Sequence, residues 1–284
     1  MDHITGFGEI AARYDGFILD LWGVIHDGVK PYPGAADCLA ALRSAGKRCV
    51  LLSNAPRRGH VAAAALTAMG IGPELYTGIM TSGEATHLAL ANPASDPWFA
   101  ALGPRMFHLG PERDRNVFEG LNFTRVPTPA EADFVVNTGP DDLGSQTDVA
   151  EFLPVLEACR AAGLPMICAN PDLEVIRGGT RVICAGALAQ IYAQNGGDVR
   201  WLGKPDPAIY QPVLGMLGLD RGRVLAVGDA LRTDIAGADS AGIDSCWVLG
   251  GIHGEELGFD PARIEAAAEQ AGLSPVACIP SFTW

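Results

Sequence analysis

The fold is decided by one short stretch, which reads Phe17-Ile18-Leu19-Asp20-Leu21-Trp22-Gly23-Val24-Ile25-His26-Asp27-Gly28. Its first three residues are apolar and end in the carboxylate of Asp20, and a glycine and an Asp-Gly turn follow at once. A short apolar run of this kind is typical of a buried strand in a parallel sheet. Ligands in open α/β sheets bind just beyond the carboxyl ends of such strands. Asp20 therefore either faces a ligand or, as a common turn residue, caps the turn.

The rest of the chain alternates apolar strands with helical segments. Residues 49–52 and 224–227 are further buried strands, followed by Ser53-Asn54 and by Gly228-Asp229. This alternation predicts an α/β fold with a Rossmann-like parallel-sheet core. Between residues 92 and 195 the pattern changes to short strands separated by charged and proline-containing loops. We therefore predict a core formed by residues 1–91 and 196–284, and an inserted α/β domain formed by residues 92–195.

The composition narrows the classes of partner. The chain has 20 basic and 33 acidic residues and a net charge of −13, which argues against sequence-independent nucleic-acid binding and against an anionic membrane surface. Its seven cysteines form no CxxC pair, as in a protein with reduced thiols. We see no leader peptide and no apolar run of about 20 residues that could span a membrane. We therefore expect a cytoplasmic protein.

Polar residues of particular kinds gather where the predicted strands end. In a parallel sheet, Asp20, Asp229 and Asp234 would lie along one edge, where carboxylates repel one another unless a cation lies between them. Mg²⁺, a hard ion with oxygen ligands, suits such a site. A lysine such as Lys204 and a hydroxyl such as that of Ser53 are what a phosphoryl group needs beside the metal, and an aspartate can act as the nucleophile.

This set of motifs resembles the haloacid dehalogenase (HAD) superfamily of aspartate-nucleophile hydrolases. The motifs are Asp20-Leu21-Trp22-Gly23-Val24, Leu51-Leu52-Ser53-Asn54, Gly203-Lys204-Pro205 and Gly228-Asp229-Ala230-Leu231-Arg232-Thr233-Asp234-Ile235. The insertion lies between the second and third motifs, which resembles the class IIA branch with its class II cap. That branch includes p-nitrophenyl phosphatase-like, N-acetylglucosamine-phosphate and pyridoxal-phosphate phosphatases.

The resemblance implies roles for the residues that would hold the phosphoryl group. Asp20 would be the nucleophile and also a Mg²⁺ ligand. Ser53 would donate its hydroxyl to the transferring phosphoryl group, with help from the backbone of Asn54. Lys204 would pair with Asp20 and with the phosphoryl oxygens; the alternative is a solvated loop lysine.

The resemblance also implies a metal site. Asp229 and the backbone carbonyl of Trp22 would bind Mg²⁺ directly. Asp234 would lie farther out and orient a metal-bound water, although a plain helix N-cap would suit its position as well.

Trp22 departs from the family pattern. Phosphatases of the superfamily normally carry a second aspartate two residues after the nucleophile, which protonates the leaving group and then activates water. An indole cannot do either, and general acid–base catalysis contributes roughly 10²- to 10⁴-fold. We therefore expect weakened activity and a preference for good leaving groups, as in aryl or acyl phosphates. His26 or Asp27 could replace the missing acid, or both could be ordinary turn residues.

The cap is expected to supply specificity. Asn170-Pro171-Asp172 resembles a family segment that lies near the active site, so Asp172 would either accept a hydrogen bond from a substrate hydroxyl or only form a turn. Members of the branch associate through the cap, which leaves a homodimer open.

Three functions remain. The first is a Mg²⁺-dependent phosphatase-like hydrolase, which acts on a small phosphorylated metabolite through an aspartyl-phosphate and is weakened by Trp22. The second is a catalytically impaired protein that binds a phosphorylated metabolite as a sensor. The third is a haloacid dehalogenase, since those enzymes also place an aromatic residue two positions after the nucleophile; they dispense with the metal, however.

Overall fold

The computed structural model describes residues 1–141 and 146–284. Its strands are β1 Asp2–His3, β2 Gly16–Leu19, β3 Arg48–Ser53, β4 Gly78–Thr81, β5 Arg105–Leu109, β6 Thr124–Val126, β7 Phe134–Asn137, β8 Met166–Cys168, β9 Glu174–Arg177, β10 Thr180–Ile183, β11 Val199–Trp201, β12 Val224–Gly228, β13 Asp244–Val248 and β14 Ala277–Ile279. Its α-helices are α1 Gly8–Ala11, α2 Ala35–Ser44, α3 Gly59–Ala68, α4 Ser82–Ala91, α5 Pro97–Ala100, α6 Leu153–Ala161, α7 Ala185–Gln194, α8 Tyr210–Leu217, α9 Ala236–Ala241, α10 Gly254–Leu257 and α11 Pro261–Gln270.

The larger sheet has seven strands in the order β1-β14-β13-β12-β2-β3-β4, and every neighbouring pair is parallel. Strand β2 is buried along its whole length. Its side chains alternate between two cores, since Phe17 and Leu19 pack in one cluster and Ile18 in another. A strand buried on both faces reads as a continuous apolar run in sequence, which is why this strand was predictable. The predicted Rossmann-like α/β class is confirmed.

A second sheet is formed by the chain between β4 and β12. It has five parallel strands in the order β11-β8-β7-β5-β6, and β9 and β10 form a separate antiparallel hairpin beside it. Strand β11, Val199–Trp201, belongs to this sheet, although the predicted boundary at residue 195 assigns it to the core. We define the cap as the part of the chain that carries this sheet and the hairpin.

The sheet order brings the predicted motifs together. Strand β2 lies between β12 and β3, and the register pairs Leu19 with Val227 and with Leu51. The residues that follow these three strands therefore share one edge. Among the described residues, no helix is both long enough and apolar enough to span a membrane.

Candidate active site

Asp20 and Lys204 form the centre of the site. Asp20 follows β2 and is 7% exposed, and Lys204 is 3% exposed. The Lys204 ammonium donates to Oδ1 of Asp20 at 2.5 Å, to Oδ1 of Asp234 at 2.6 Å and to the carbonyl of Leu52 at 3.2 Å. Lys204 is thus not a solvated loop lysine, because its charged group is buried between two carboxylates.

Three carboxylates converge on this point. Asp20, Asp229 and Asp234 are buried, and one oxygen from each lies within 4.8 Å of the others. Burial raises the pKa of Asp20 well above its usual range, although Lys204 acts in the opposite direction. Burial and the neighbouring Asp234 raise the pKa of Asp229 to about 8. Burial acts to lower the pKa of Lys204. The nearby carboxylates of Asp20 and Asp234 raise it by more than burial lowers it, so the pKa of Lys204 lies well above its usual value.

This donor set fits a divalent cation. One lysine cannot neutralise three buried carboxylates, and oxygen atoms are the ligands that hard divalent ions prefer. A cation between the carboxylates would remove the repulsion that, with burial, raises the pKa of Asp229.

Asp229 is held by backbone on both sides. Its Oδ2 accepts a hydrogen bond from the backbone N–H of Ile252 at 2.7 Å. An added Cβ at Gly23 or at Gly251 would come within 2.0 Å of that same oxygen, and Gly23 also has a φ of 82°. Glycine is therefore required at position 23, where the chain passes against the carboxylate. This close approach also places the Trp22–Gly23 peptide beside Asp229.

Asp234 lies in a π-helical turn, Leu231–Ile235. Its Oδ1 accepts from Lys204 and its Oδ2 accepts from the backbone N–H of Ala230 at 3.1 Å. It does not cap α9, because the N-cap of that helix is Ile235. Both oxygens of Asp234 are therefore already engaged with the protein.

Ser53 and Asn54 follow β3 and are buried. The Ser53 hydroxyl accepts from the backbone N–H of Ala55 at 3.2 Å. The Asn54 side-chain oxygen accepts from the backbone N–H of Lys204 at 2.8 Å, and its amide donates to Oδ1 of Asp172 at 2.9 Å. The Asn54 side chain thus links the lysine loop to the cap, a role that its place in the second motif did not indicate.

Asp172 brings the cap to the core. It is half-buried, and its backbone N–H donates to the Asn170 side-chain oxygen at 3.0 Å, which is an Asx turn. Burial raises its pKa, while Lys204 acts to lower it. The segment is therefore a turn and also a wall of the cavity that contains Asp20, Lys204 and Asp229; we call this the catalytic cavity.

Trp22 also lines the catalytic cavity and is half-buried. Its ring lies over Gly28, where an added Cβ would come within 2.1 Å of a ring carbon. It meets the His26 ring edge-on, with the centroids 5.2 Å apart. The indole therefore occupies a defined place in the turn after Asp20.

Neither proposed substitute acid lines the catalytic cavity. His26 is buried, and its Nδ1 accepts from the backbone N–H of Gly28 at 2.9 Å. Burial lowers its pKa to about 4, so the ring carries no charge at neutral pH. Oδ1 of Asp27 accepts from the backbone N–H groups of Val29 and Lys30. Both residues shape the turn.

Further residues line the cavity that the sequence did not single out. They are Tyr32 from the turn before α2, Glu174 at the start of the hairpin, and Thr233 and Ile252 from the core. Glu174 lies two residues after Asp172, so the strand-like alternation of an extended segment is the one signal that could have drawn attention to it.

Known proteins match this chain over nearly its whole length. The family described as "Haloacid dehalogenase-like hydrolase" matches residues 17–124, and the family described as "HAD-hydrolase-like" matches residues 201–275. A crystal structure of a hydrolase of the haloacid dehalogenase-like family from Brucella suis 1330 is 30% identical, and the alignment covers 99% of this chain and 100% of that chain with a TM-score of 0.83.

Two curated relatives are more distant. Human chronophin is 25% identical over 277 residues, which cover 94% of this chain and 90% of chronophin. D-glycerol 3-phosphate phosphatase of Mycobacterium tuberculosis is 28% identical over 250 residues, which cover 86% of this chain and 65% of that protein. The resemblance inferred from the four motifs is thus confirmed by independent matches, and this chain belongs to the class IIA branch of the haloacid dehalogenase-like hydrolases.

Proposed function

We propose that this protein is a Mg²⁺-dependent phosphatase that cleaves small phosphorylated metabolites through an aspartyl-phosphate on Asp20, at a rate limited by Trp22. The observation that carries the proposal is the buried cluster in which Lys204 contacts Asp20 and Asp234 directly, with Asp229 beside them. Burying such a cluster of charged groups costs free energy, which is a reason to assign the cluster a function in catalysis.

The first step forms the aspartyl-phosphate. A carboxylate oxygen of Asp20 attacks phosphorus, and the bond to the leaving oxygen breaks with its electron pair. Lys204 orients the carboxylate through its 2.5 Å hydrogen bond and offsets negative charge on the phosphoryl oxygens. The Ser53 hydroxyl can donate to the same phosphoryl group, since its oxygen only accepts in the hydrogen bond from the backbone N–H of Ala55.

The carboxylates of Asp20 and Asp229 and the backbone carbonyl of Trp22 would hold Mg²⁺, and Asp234 would support the site from outside. A bound Mg²⁺ supplies positive charge that neutralises the phosphoryl oxygens and the crowded carboxylates.

The two proton transfers lack a side chain at the usual position. The leaving oxygen needs a proton after the first step, and the water that attacks the aspartyl-phosphate must lose one in the second. Trp22 can do neither, and both protons must then be exchanged with solvent. Alkyl phosphates suffer most, because an alkoxide is a poor leaving group, whereas aryl and acyl phosphates suffer least.

The relatives support a small phosphorylated substrate, because one of them is named for glycerol 3-phosphate. Asp172 would contact the substrate from the cap.

We further propose the division into a core and a cap domain, a cytoplasmic location and, as an open option, a homodimer. The location is supported by seven cysteines that are all buried and free.

The test is hydrolysis of p-nitrophenyl phosphate and acetyl phosphate with Mg²⁺ and with EDTA. We expect turnover that requires Mg²⁺ and that Asp20→Asn abolishes. Asp220→Asn is the control, because that exposed aspartate precedes β12 at the other end of the sheet, and it should retain full activity. Turnover that survives Asp20→Asn would refute the mechanism.

Trp22 favours a second candidate, a protein that binds a phosphorylated metabolite without turning it over. In that case neither substrate is hydrolysed, yet beryllium fluoride, an analogue of the phosphoryl group, binds tightly and only with Mg²⁺. Metal-independent halide release from a 2-haloacid would instead indicate a dehalogenase.

A further inference from the structure

A second and larger cavity opens beside the catalytic cavity, with a volume of about 560 Å³. Asp172, Glu174 and Thr233 line both cavities, so a molecule bound at Asp20 can extend directly into the second one. Sites for small molecules typically measure about 300 to 1,000 Å³. We call this space the side cavity.

The side cavity has a basic wall. Arg232 and Arg181 line it, in a chain whose net charge is −13. Arg181 forms an ion pair with Glu174, so its charge is largely compensated.

Arg232 is different. It donates one N–H to the carbonyl of Pro171 in the cap, and no carboxylate of the described residues lies within ion-pair distance of it. It is also exposed. A guanidinium has five N–H donors in a planar fork that matches a carboxylate or phosphate, and most of them remain available here.

The remaining walls are largely apolar, with Leu231 and Ala236 on the core side and Ala271 and Leu273 near the end of α11. A ligand that fits both the apolar walls and the Arg232 guanidinium has an apolar or aromatic body and one anionic group. Arg232 directly precedes Thr233, which lines both cavities, so that anionic group would lie on the side of the substrate that extends from the catalytic cavity into the side cavity.

We propose that the side cavity binds the leaving group of the substrate and that Arg232 selects phosphate monoesters that carry a second anionic group. The shared chemistry is a carboxylate or a second phosphate on a compact, partly apolar body. Arg181 supports this selection, because it compensates the Glu174 carboxylate that would otherwise repel an anion. The inference rests on the proposed phosphatase function and adds the substrate class.

The experiment compares aryl phosphates of similar size that differ in the charge of their para substituent, and it measures how variants change their relative rates. The probes are 4-carboxyphenyl phosphate and its neutral counterpart 4-carbamoylphenyl phosphate, with 1,4-phenylene bisphosphate to distinguish a phosphate from a carboxylate. We expect kcat/KM to be on the order of tenfold higher for the better anionic probe than for the neutral one, because a hydrogen bond to a charged group contributes that much. The readout is the ratio of the two kcat/KM values, which is insensitive to any general loss of activity.

Variants then test which arginine causes the preference for the anionic probe. Arg232→Gln should lower the ratio about tenfold from that of the unchanged protein, Arg232→Lys should keep part of the preference because the charge remains, and Arg181→Gln should also lower the ratio. Arg13→Gln is the matched control, because that exposed arginine pairs with Asp2 at the edge of the larger sheet, and its ratio should equal that of the unchanged protein.

The outcomes separate this inference from the function on which it rests. Equal kcat/KM for the charged and neutral probes, or a preference that survives Arg232→Gln, would overturn the inference and leave the phosphatase function standing. Absence of turnover with these three probes alone would overturn the inference, and absence of turnover with p-nitrophenyl phosphate and acetyl phosphate as well would also overturn the function.

Discussion

The catalytic cavity has two sides that are built in different ways. On the core side, Asp20 and Asp229 follow adjacent parallel strands whose register pairs Leu19 with Val227. On the cap side, Asp172 and Glu174 lie on a loop and at the start of a hairpin that belongs to neither large sheet. The core side is fixed by the geometry of the sheet, and the cap side is held by a few hydrogen bonds.

This difference suggests that the core side carries out the reaction and that the cap side selects the substrate. A parallel register tolerates little movement, so the groups that we propose to react with phosphorus are kept in place. Contacts such as those of Asn54 with Asp172 and of Arg232 with Pro171 can be exchanged without disturbing the sheet. We therefore expect changes on the core side to alter kcat strongly and changes on the cap side to alter KM and substrate preference.

After Asp20→Asn, the largest effect is expected from Gly23→Ala on the core side. The new Cβ would collide with the Asp229 carboxylate, and a shift of about 1 Å at a catalytic group can cost 10²-fold in rate. We expect kcat for p-nitrophenyl phosphate to fall at least about 100-fold. Gly70→Ala is the control, because Gly70 has a φ of 85° with nothing within 4 Å of an added Cβ. Equal losses in both variants would show that backbone strain, and not the collision, is responsible.

Trp22→Asp should act in the opposite direction. It restores a group that can donate a proton to the leaving oxygen, so kcat for an alkyl phosphate should rise on the order of 10²-fold. The gain for p-nitrophenyl phosphate should be smaller, since that leaving group needs no proton. Trp22→Asn controls for the space that the indole vacates. An equal gain in Trp22→Asn would contradict the acid–base explanation.

The burial of His26, in the turn that follows β2 on the core side, predicts that the stability of the protein depends on pH. Its pKa is about 4 in the folded protein, against an ordinary value of 6.5, so between these two values the unfolded chain binds more protons. Stability should therefore fall as the pH falls from about 6.5 towards 4, by about 2 kcal/mol at pH 5.

The measurement is the free energy of unfolding in urea at pH 7 and pH 5. His26→Asn should lose less stability than the unchanged protein over this interval, and the exposed His60→Asn should behave like the unchanged protein. Identical pH dependence in both variants would show that His26 is not held neutral by its burial.

The smallest effect is expected on the cap side, from Asp172→Ala. The substitution removes one of the two acceptors of the Asn54 side-chain amide, the other being the backbone carbonyl of Lys204, and it removes one wall of the catalytic cavity. We expect KM to rise about tenfold, as for the loss of one hydrogen bond to a charged group, with kcat within a few-fold of the unchanged value. A fall in kcat as large as that of Gly23→Ala would contradict the claim that the cap side affects KM and the core side affects kcat.

The sequence predicted the core side well for a physical reason. Asp20 and Asp229 each follow a short apolar run, and parallel strands place the residues that follow them at one edge. The sequence did not predict that Asp234 would share Lys204 with Asp20, because that contact depends on a π-helical turn. It left Arg232 and Glu174 unnoticed, since their approach to the site depends on how the cap folds back over the core.

The most direct test of the aspartyl-phosphate mechanism is to trap the phosphorylated enzyme. The protein is mixed with acetyl phosphate and Mg²⁺, quenched in acid within one turnover and treated with borohydride, which reduces an aspartyl-phosphate to homoserine. Peptide mass spectrometry then locates the change. Because Trp22 would leave the proposed second step without a base, we expect the intermediate to accumulate and homoserine to form at position 20. Turnover without any modified residue, or modification at another carboxylate, would contradict it.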